Sequence, residues 1–313
     1  PERSDGLPVL GWFDDRIAAE LRLWDAIDQQ YLTPFVYYGI HDGTDLTKVA
    51  WRRGSGYEVE ALTNVYTASD AWAQQVIKEF AEHIDDLSSV RALGFCVSVF
   101  HAKFMAQIFN QAGIASAAVW GETPEHERRE ALAALADGRL RVLFSVDLFN
   151  EGVDLPSVDA LLMLRPTESP TLFIQQLGRG LRRDAGKTVC TVLDFVGQHR
   201  QEFRFDRRLA ALLGGSRKEL EEQVAAGFPY LPAGCQMQLD QKSSEIILES
   251  FQTALPSRWP QKVEELRNLV TAGHDPRLVT YLDHTGLELE DVYPVKGAAK
   301  EKSGWSNLCE SAG

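Results

Sequence analysis

Hydrophobic residues between positions 91 and 196 follow two different spacings. Five short, continuous apolar runs are rich in Val, Leu and Ile and are bounded by Gly, Asp or Pro, which is typical of strands buried within a sheet. They cover residues 92–99, 114–120, 140–146, 158–164 and 188–196. Between them, residues 101–111, 124–136 and 169–181 have apolar positions three and four apart, as amphipathic helices do. This alternation predicts an α/β fold, with a mostly parallel sheet and helices on both faces.

The segments on either side of this region are mainly helical. Residues 14–31 and 66–84 have helical spacing, and residues 35–40 form an extended segment between them. After position 199, helices are predicted at 204–213, 217–226, 243–254 and 260–270, separated by glycine-rich breaks. We therefore expect an N-terminal helical part at 1–87, a central α/β domain at 88–200 and a mainly helical accessory region at 201–313.

Charge leaves the question of a nucleic-acid partner open. The net charge is −13, but residues 1–90 carry 7 basic and 16 acidic side chains, whereas residues 91–200 carry 12 of each. Local positive surface decides phosphate binding, so the total does not exclude it. The four cysteines form no CxxC pair, which argues against a zinc site and a disulfide framework and favours the cytoplasm. No apolar run reaches the roughly 18 residues of a membrane span.

The strongest chemical signal is the segment at residues 175–183, QQLGRGLRR. Gly178 and Gly180 permit close approach of a backbone. Arg179 and Arg182 are three positions apart, so in a helix they would share one face. Two adjacent guanidinium groups offer permanent charge and planar forks of donors to a phosphate that is being transferred. Taken alone, such a pair can equally be a solvated basic helix end.

Two upstream segments give this one its context. Residues 143–156, LFSVDLFNEGVDLP, read as a strand and a turn, and residues 94–101, GFCVSVFH, read as a strand running into a helix. In this order and spacing, the three segments resemble motifs IV, V and VI of the second RecA-like domain of superfamily 2 DEAD/DEAH-box helicases. They are most similar to the group related to the helicase subunits of type III restriction enzymes. The resemblance covers residues 88–200 and implies a RecA-like central domain.

The resemblance implies a nucleotide site formed by two of these motifs. Arg179 and Arg182 match the motif VI arginines that contact the γ-phosphate, and are the expected catalytic residues. The implied ATP-binding residues are Gly152, Asp154, Gln175 and Gly178. The implied cofactors are ATP and Mg²⁺, and the implied partner is a first RecA-like motor domain, since this chain offers no metal ligands of its own.

The resemblance also implies contacts to the backbone of a nucleic acid. DNA is the expected partner and RNA the alternative, through Ser98, His101, Gly121, Arg128 and Asp147. Val146 stands before Asp147 where the family often has threonine, so a hydroxyl contact there is lost or made by the main chain. His101 can equally be a capping or packing residue.

One further segment matches part of the sequence motif of a phosphate-binding loop. Gly186, Lys187 and Thr188 spell GKT, but the glycine that a P-loop needs five positions earlier is Leu181. A P-loop also opens a helix, whereas Thr188 opens an apolar strand. We therefore predict a turn. No DExx motif follows an apolar strand either, so this chain alone is expected to be inactive as an ATPase.

These patterns predict the second motor domain of an ATP-dependent DNA helicase or translocase, which supplies arginine fingers and nucleic-acid backbone contacts. Residues 1–6, PERSDG, resemble the sequence after motif III, so the chain is expected to begin where a first motor domain ends. One alternative is the motor part of a restriction or anti-phage nuclease complex. Another is a non-catalytic RecA-like binding or scaffold module, against which the intact arginine pair argues.

Overall fold

The computed structural model describes residues 21–52, 56–147, 155–167, 169–200, 203–215, 217–232, 234–253, 258–271, 275–285, 287, 289–293 and 303–312. They form two compact units. One comprises the described residues before Arg200 together with Gly227–Ser244, and the other comprises the described residues of Arg200–Ala226 and 245–313. In the described part of the chain, no helix has the length and apolar character that crossing a membrane requires.

The first unit contains a seven-stranded sheet in which every pairing is parallel. In chain order the strands of the unit are β1 (Phe35–Asp45), β2 (Trp51–Arg52), β3 (Gly56–Tyr57), β4 (Ala92–Phe95), β5 (Ser116–Val119), β6 (Val142–Ser145), β7 (Ala160–Met163), β8 (Cys190–Gln198) and β9 (Gln236–Leu239). β2 and β3 form a separate antiparallel ribbon, and the large sheet has the order β5-β6-β4-β7-β8-β1-β9.

Six helices of the first unit connect or flank these strands. They are α1 (Leu23–Asp28), α2 (Val59–Thr67), α3 (Asp70–His83), α4 (Val99–Gln111), α5 (Glu125–Ala136) and α6 (Pro170–Gly180). From β4 through α4 to β5 the chain moves two positions in one direction along the sheet. From β5 through α5 to β6, and from β7 through α6 to β8, it moves one position in the other direction. Since such crossovers are right-handed, α4 lies on one face and α5 and α6 lie on the other.

The five predicted central strands are confirmed, as is the α/β fold class. Every residue of β4, β6 and β7 is buried, which explains their continuous apolar runs. The strands are shorter than predicted because apolar residues continue into the connections. For example, Cys96 and Val97 are buried beyond the end of β4. All four cysteines are free thiols.

The sheet also contains two strands from outside positions 88–200. The extended segment predicted at 35–40 is part of β1, which pairs with β8 on one side and β9 on the other. β9 was not predicted from the sequence. Met237 is its only fully buried side chain, while Gln236 and Gln238 are exposed, so this edge strand has almost no apolar signal.

Some helix bounds differ from the predictions. The helix predicted at 66–84 is two helices, because α2 ends at Thr67 and α3 starts again at Asp70. Of the helix predicted at 14–31, α1 covers Leu23–Asp28, and residues 14–20 lie outside the described part.

The second unit is helical wherever it is described as regular structure. α7 (Phe205–Leu213), α8 (Arg217–Ala226), α9 (Gln241–Thr253) and α10 (Trp259–Thr271) confirm the four predicted helices, and α9 begins in the first unit. α11 (Leu278–Thr285), α12 (Leu289–Val292) and α13 (Trp305–Ala312) follow. One hydrophobic cluster in the core of this unit consists of Val263, Leu266, Leu269, Tyr281, Leu287, Val292 and Leu308.

Candidate nucleotide and nucleic-acid sites

The parallel sheet brings three of the predicted residues to one edge. Ser98 follows β4, Gly121 follows β5 and Asp147 follows β6. These three strands are neighbours and run in the same direction, so the segments after them emerge together at what we call the carboxyl edge. In open α/β sheets this edge is the usual place for ligands.

Ser98 is the N-cap of α4. Its Oγ accepts a hydrogen bond from the backbone N–H of His101 at 3.2 Å and lies 2.8 Å from Thr63 Oγ1 of α2. Its hydroxyl therefore already satisfies one free N–H at the start of the helix. Ser98 is half-buried, which leaves part of it accessible at the carboxyl edge.

His101 is buried, and its side chain offers no exposed surface for the nucleic-acid contact that was predicted there. Its ring is 0% exposed, and its centroid lies 5.3 Å from that of Tyr66 and 5.4 Å from that of Trp72. Nδ1 accepts a hydrogen bond from the backbone N–H of Val97 at 3.3 Å. Burial lowers the pKa of the ring to about 3, so it is neutral at physiological pH. His101 is the packing residue that the sequence left as the alternative.

Arg128 shapes the loop that follows β5. Its Nη2 donates to the backbone oxygen of Thr123 at 3.1 Å and approaches that of Gly121 at 3.5 Å. Thr123 in turn accepts a hydrogen bond from the backbone N–H of Trp120 through Oγ1, at 2.9 Å. Gly121 itself is exposed, and a Cβ there would meet nothing within 4 Å. Part of the Arg128 guanidinium therefore holds this loop in shape, with Gly121 on its outside.

Asp147 forms an ion pair that the sequence did not indicate. Its Oδ1 lies 2.5 Å from Nη1 of Arg165, which follows β7, and the side chains are 59% and 27% exposed. A carboxylate by itself repels phosphate, whereas this pair fixes a guanidinium at the carboxyl edge. The backbone of Asp147 has φ 49, a left-handed conformation that is uncommon outside glycine. The only signal for Arg165 was a basic residue directly after an apolar strand.

α6 begins at a capped end and packs closely on the sheet. Ser169 Oγ accepts a hydrogen bond from the N–H of Leu172, and Pro170 occupies the first turn. At Gly180 a Cβ would lie 2.4 Å from Cys190 Sγ and 2.9 Å from Leu161, so only glycine fits there. At Gly178 a Cβ would meet nothing within 4 Å. The two glycines therefore have different roles, and only Gly178 borders open space.

The expected shared helical face of Arg179 and Arg182 is not observed. α6 ends at Gly180, and Arg182 instead forms a β-bridge with Leu32 just before β1. The backbone N–H of Thr33 also donates to the oxygen of Leu181 at 2.7 Å. Gly180, the last residue of the helix, packs closely against Cys190 of β8 and Leu161 of β7. Arg179 lies in the last turn of α6, and Arg182 lies in the extended segment beyond it.

These arginines lie at the edge of the sheet opposite Ser98. α6 connects the carboxyl end of β7 to the amino end of β8, so its own end lies at the amino edge. Gln175 is half-buried and stands four residues before Arg179, which places both on the same side of α6.

Lys187 connects the end of α6 with the segment before β7. Its Nζ donates to the backbone oxygens of Gly180 at 2.6 Å, Arg182 at 2.8 Å and Pro156 at 3.2 Å. Burial lowers the pKa of this amine. Gly186 has φ 85 in a turn, and β8 begins shortly afterwards, so the predicted turn in place of a P-loop is confirmed.

Pro156 lies two residues after Asp154. The hydrogen bond from Lys187 to the backbone oxygen of Pro156 therefore holds the end of the predicted motif V segment beside the end of motif VI. Gly152 and Asp154 themselves lie outside the described residues.

Among the residues that the structure describes, no group of three His, Cys, Asp or Glu side chains could hold a metal ion. The planar, positively charged guanidinium groups of Arg179 and Arg182 are chemically suited to bind the phosphates of a nucleotide.

Comparison with known proteins finds similarity to helicases. Residues 75–184 match the family model described as "Helicase conserved C-terminal domain". The putative ATP-dependent helicase IRC3 of Saccharomyces cerevisiae is 27% identical over 63% of this chain and 28% of its own length. The putative mitochondrial ATP-dependent helicase irc3 of Schizosaccharomyces pombe is 35% identical over 44% of this chain and 23% of its own length. The 51.5 kDa protein of a Lactococcus phage is 28% identical over 64% of this chain and 42% of its own length.

A solved structure shares the fold. The fragment of a putative HsdR subunit of a type I restriction enzyme from Vibrio vulnificus YJ016 has a TM-score of 0.50 and 18% identity, covering 76% of this chain and 42% of that one. The chain spans less than half of the length of each of these relatives.

Proposed function

We propose that the chain is the second motor domain of an ATP-dependent DNA helicase or translocase, because residues 75–184 match the family model of the conserved C-terminal domain of helicases and its relatives include putative ATP-dependent helicases. The amino edge, with Arg179 and Arg182, serves the nucleotide. The carboxyl edge, with Ser98, Gly121 and the Asp147–Arg165 pair, serves the phosphates of the nucleic acid.

The observation that carries this proposal is the set of three hydrogen bonds from Lys187. They hold the end of the predicted motif VI segment against the end of the predicted motif V segment. Hydrogen bonds from a partly buried ammonium group to backbone oxygens stabilise the position of a backbone. One half-buried cation therefore connects the segment that carries Arg179 and Arg182 with the segment after Asp154, as a nucleotide site built from both motifs requires.

The proposed chemistry of this chain is electrostatic. ATP and Mg²⁺ would be held with a first motor domain, which would provide the phosphate loop and the metal ligands. During phosphoryl transfer, negative charge shifts among the phosphate oxygens, and a guanidinium aimed at them stabilises the transition state more than the ground state. Arg179 and Arg182 would supply that charge. Hydrolysis would then change how the two motor domains close and would move them along a strand.

The nucleic-acid half of the proposal is tested by measuring the affinity of the chain for a DNA oligonucleotide across a salt series. Contacts to phosphates should be nearly independent of sequence and should weaken steeply with salt, because each contact releases condensed counterions. For a single strand, loss of one contact lowers the slope of log K against log salt by about 0.7. We expect Arg165→Gln to lower it by that amount.

Arg139→Gln is the matched control for this measurement. Arg139 is 60% exposed and precedes β6, so it lies at the amino edge, away from Ser98 and Gly121. Its variant should leave the slope unchanged. A flat response of the wild-type chain to salt, or a strong preference for one base sequence, would overturn the assignment of the carboxyl edge. An RNA oligonucleotide of equal length distinguishes DNA from RNA in the same assay.

A further inference from the structure

An exposed aromatic side chain stands at the carboxyl edge. Phe100 lies in the first turn of α4 and is 64% exposed. The buried residues of the same helix include His101, Ala102 and Met105. Phe100 is therefore outside the packed stripe of α4 and contributes little to the core, so its large apolar surface is available to a ligand.

Two neighbours extend this surface. Lys103 is exposed three residues after Phe100, and so lies on the same side of α4. Its Nζ is 4.3 Å from the ring centroid of Trp120, which is half-buried directly after β5. We call Phe100, Lys103 and Trp120 the aromatic platform. It joins the segment after Ser98 to the loop that contains Gly121.

Few positive charges near the aromatic platform are available to bind phosphates. Lys103 is the cation of the platform, while Glu122 is exposed two residues after Trp120. The guanidinium of Arg128 donates a hydrogen bond to the backbone oxygen of Thr123 in the loop after β5, so part of it is already occupied. The chain as a whole carries −13. An exposed ring adds a contribution that is not electrostatic, because it can stack on a base.

We propose that the aromatic platform binds single-stranded nucleic acid through a base. The exposed ring of Phe100 stacks on that base, and Lys103, held in place over Trp120, contacts the neighbouring phosphate. Stacking tolerates any sequence because every base has a π-face, but it requires a strand whose bases are not already stacked in a duplex. The inference rests on the proposed function of the carboxyl edge and adds the form of the strand that it binds.

The test compares two probes with the same phosphates. One is an oligothymidylate of twelve nucleotides, and the other is an abasic oligonucleotide of equal length. The wild-type chain should bind the first about 5-fold or more tightly than the second, as base–aromatic stacking predicts. Phe100→Ala should remove this preference and leave the salt slope unchanged. Phe100→Trp should restore it, whereas Phe100→Leu, which is apolar but lacks a ring, should not.

Tyr230→Ala is the control for loss of an exposed aromatic side chain. Tyr230 is 88% exposed and precedes β9, away from the carboxyl edge. Equal wild-type affinity for the two probes, an unchanged preference in Phe100→Ala, or tighter binding of duplex than of single strand would overturn the platform while salt-dependent binding remained. Failure to bind either probe at low salt would overturn the proposed function as well.

Discussion

Gly178 and Gly180 are two positions apart in α6 and have opposite surroundings, which leads to opposite predictions. Gly180→Ala should lower the free energy of unfolding by about 1–3 kcal/mol, because its Cβ would press on Cys190 and Leu161. Gly178→Ala should be neutral or should stabilise the chain by up to about 1 kcal/mol, since alanine favours a helix and nothing obstructs it. Denaturant unfolding of both variants measures this. Equal losses would contradict the tight packing described at Gly180.

The buried ring of His101 gives the chain a pH-dependent stability. Its folded pKa of about 3 lies below the ordinary value of 6.5, so the unfolded chain takes up the proton first as the pH falls. The free energy of unfolding should therefore decrease below about pH 6.5, by up to about 1.4 kcal/mol per pH unit. His101→Asn keeps an acceptor for the Val97 N–H but cannot be protonated, so it should remove this part of the decrease.

His126 provides the control for that titration. Its side chain is 75% exposed, so His126→Gln should leave the dependence on pH as in the wild type. The measurement is denaturant unfolding at several pH values between about 7.5 and 5. If His101→Asn and the wild type lost stability in parallel, the ring would be titrating in solvent and its burial would be refuted.

At the scale of single residues, the sequence predicted helix-capping residues better than it predicted which side chains are buried. The capping role of Ser98 follows from its place before an apolar helix, and Ser169 with Pro170 is recognised in the same way. The burial of His101 and the bonds of Arg128 to its own loop depend on packing between distant segments. Tyr66 and Trp72, for example, reach His101 from α2 and α3, and no local pattern records that.

At the scale of elements, the end of α6 depends on Lys187. Lys187→Met should lower the free energy of unfolding by at least about 2 kcal/mol, because the backbone oxygens of Gly180, Arg182 and Pro156 would lose a charged donor. The matched control is Lys78→Met, whose side chain is 66% exposed and which should be nearly neutral. A Lys187→Met chain as stable as the wild type would show that these bonds do not hold the two motifs together.

The elements that were predicted well have continuous apolar runs or regular helical spacing. β4, β6 and β7 are buried throughout and lie in such runs, so their position and their parallel pairing followed from the alternation with helices. β9 could not be predicted because it is a short edge strand with alternating glutamines. The end of α6 at Gly180 was missed for another reason. Residues 175–183 have helical spacing, and the close packing of Gly180 against Cys190 and Leu161 is a contact between distant segments that this spacing does not predict.

At the scale of the whole molecule, the proposed role as a second motor domain predicts that this chain does not hydrolyse ATP by itself. Its GKT sequence forms a turn and not a phosphate-binding loop. We therefore expect no ATP turnover from the purified 313-residue chain, with or without single-stranded DNA. Phosphate release is the measurement. Turnover that DNA stimulates and that Arg182→Ala abolishes would show that the nucleotide site is complete within this chain.

The central claim is that Arg179 and Arg182 act on the phosphates during transfer. It is tested most directly by single-turnover hydrolysis in the complete protein with nucleic acid present, together with nucleotide affinity. Arg179→Ala and Arg182→Ala should each slow hydrolysis far more than they weaken ATP binding. Arginine fingers contribute about 10³–10⁵-fold in rate, or roughly 4–7 kcal/mol of barrier. Lysine at either position should rescue little, because it lacks the planar fork.

Arg183→Ala is the matched control in the same measurement. Arg183 is exposed, and its Nη1 donates to the backbone oxygen of Gln30 at 2.6 Å, so it is already used in holding two loops together. We expect hydrolysis close to the wild-type rate for this variant, and a large loss for Arg179→Ala and Arg182→Ala. A damaging Arg183→Ala with near-normal rates for the other two would contradict the assignment of the arginine fingers.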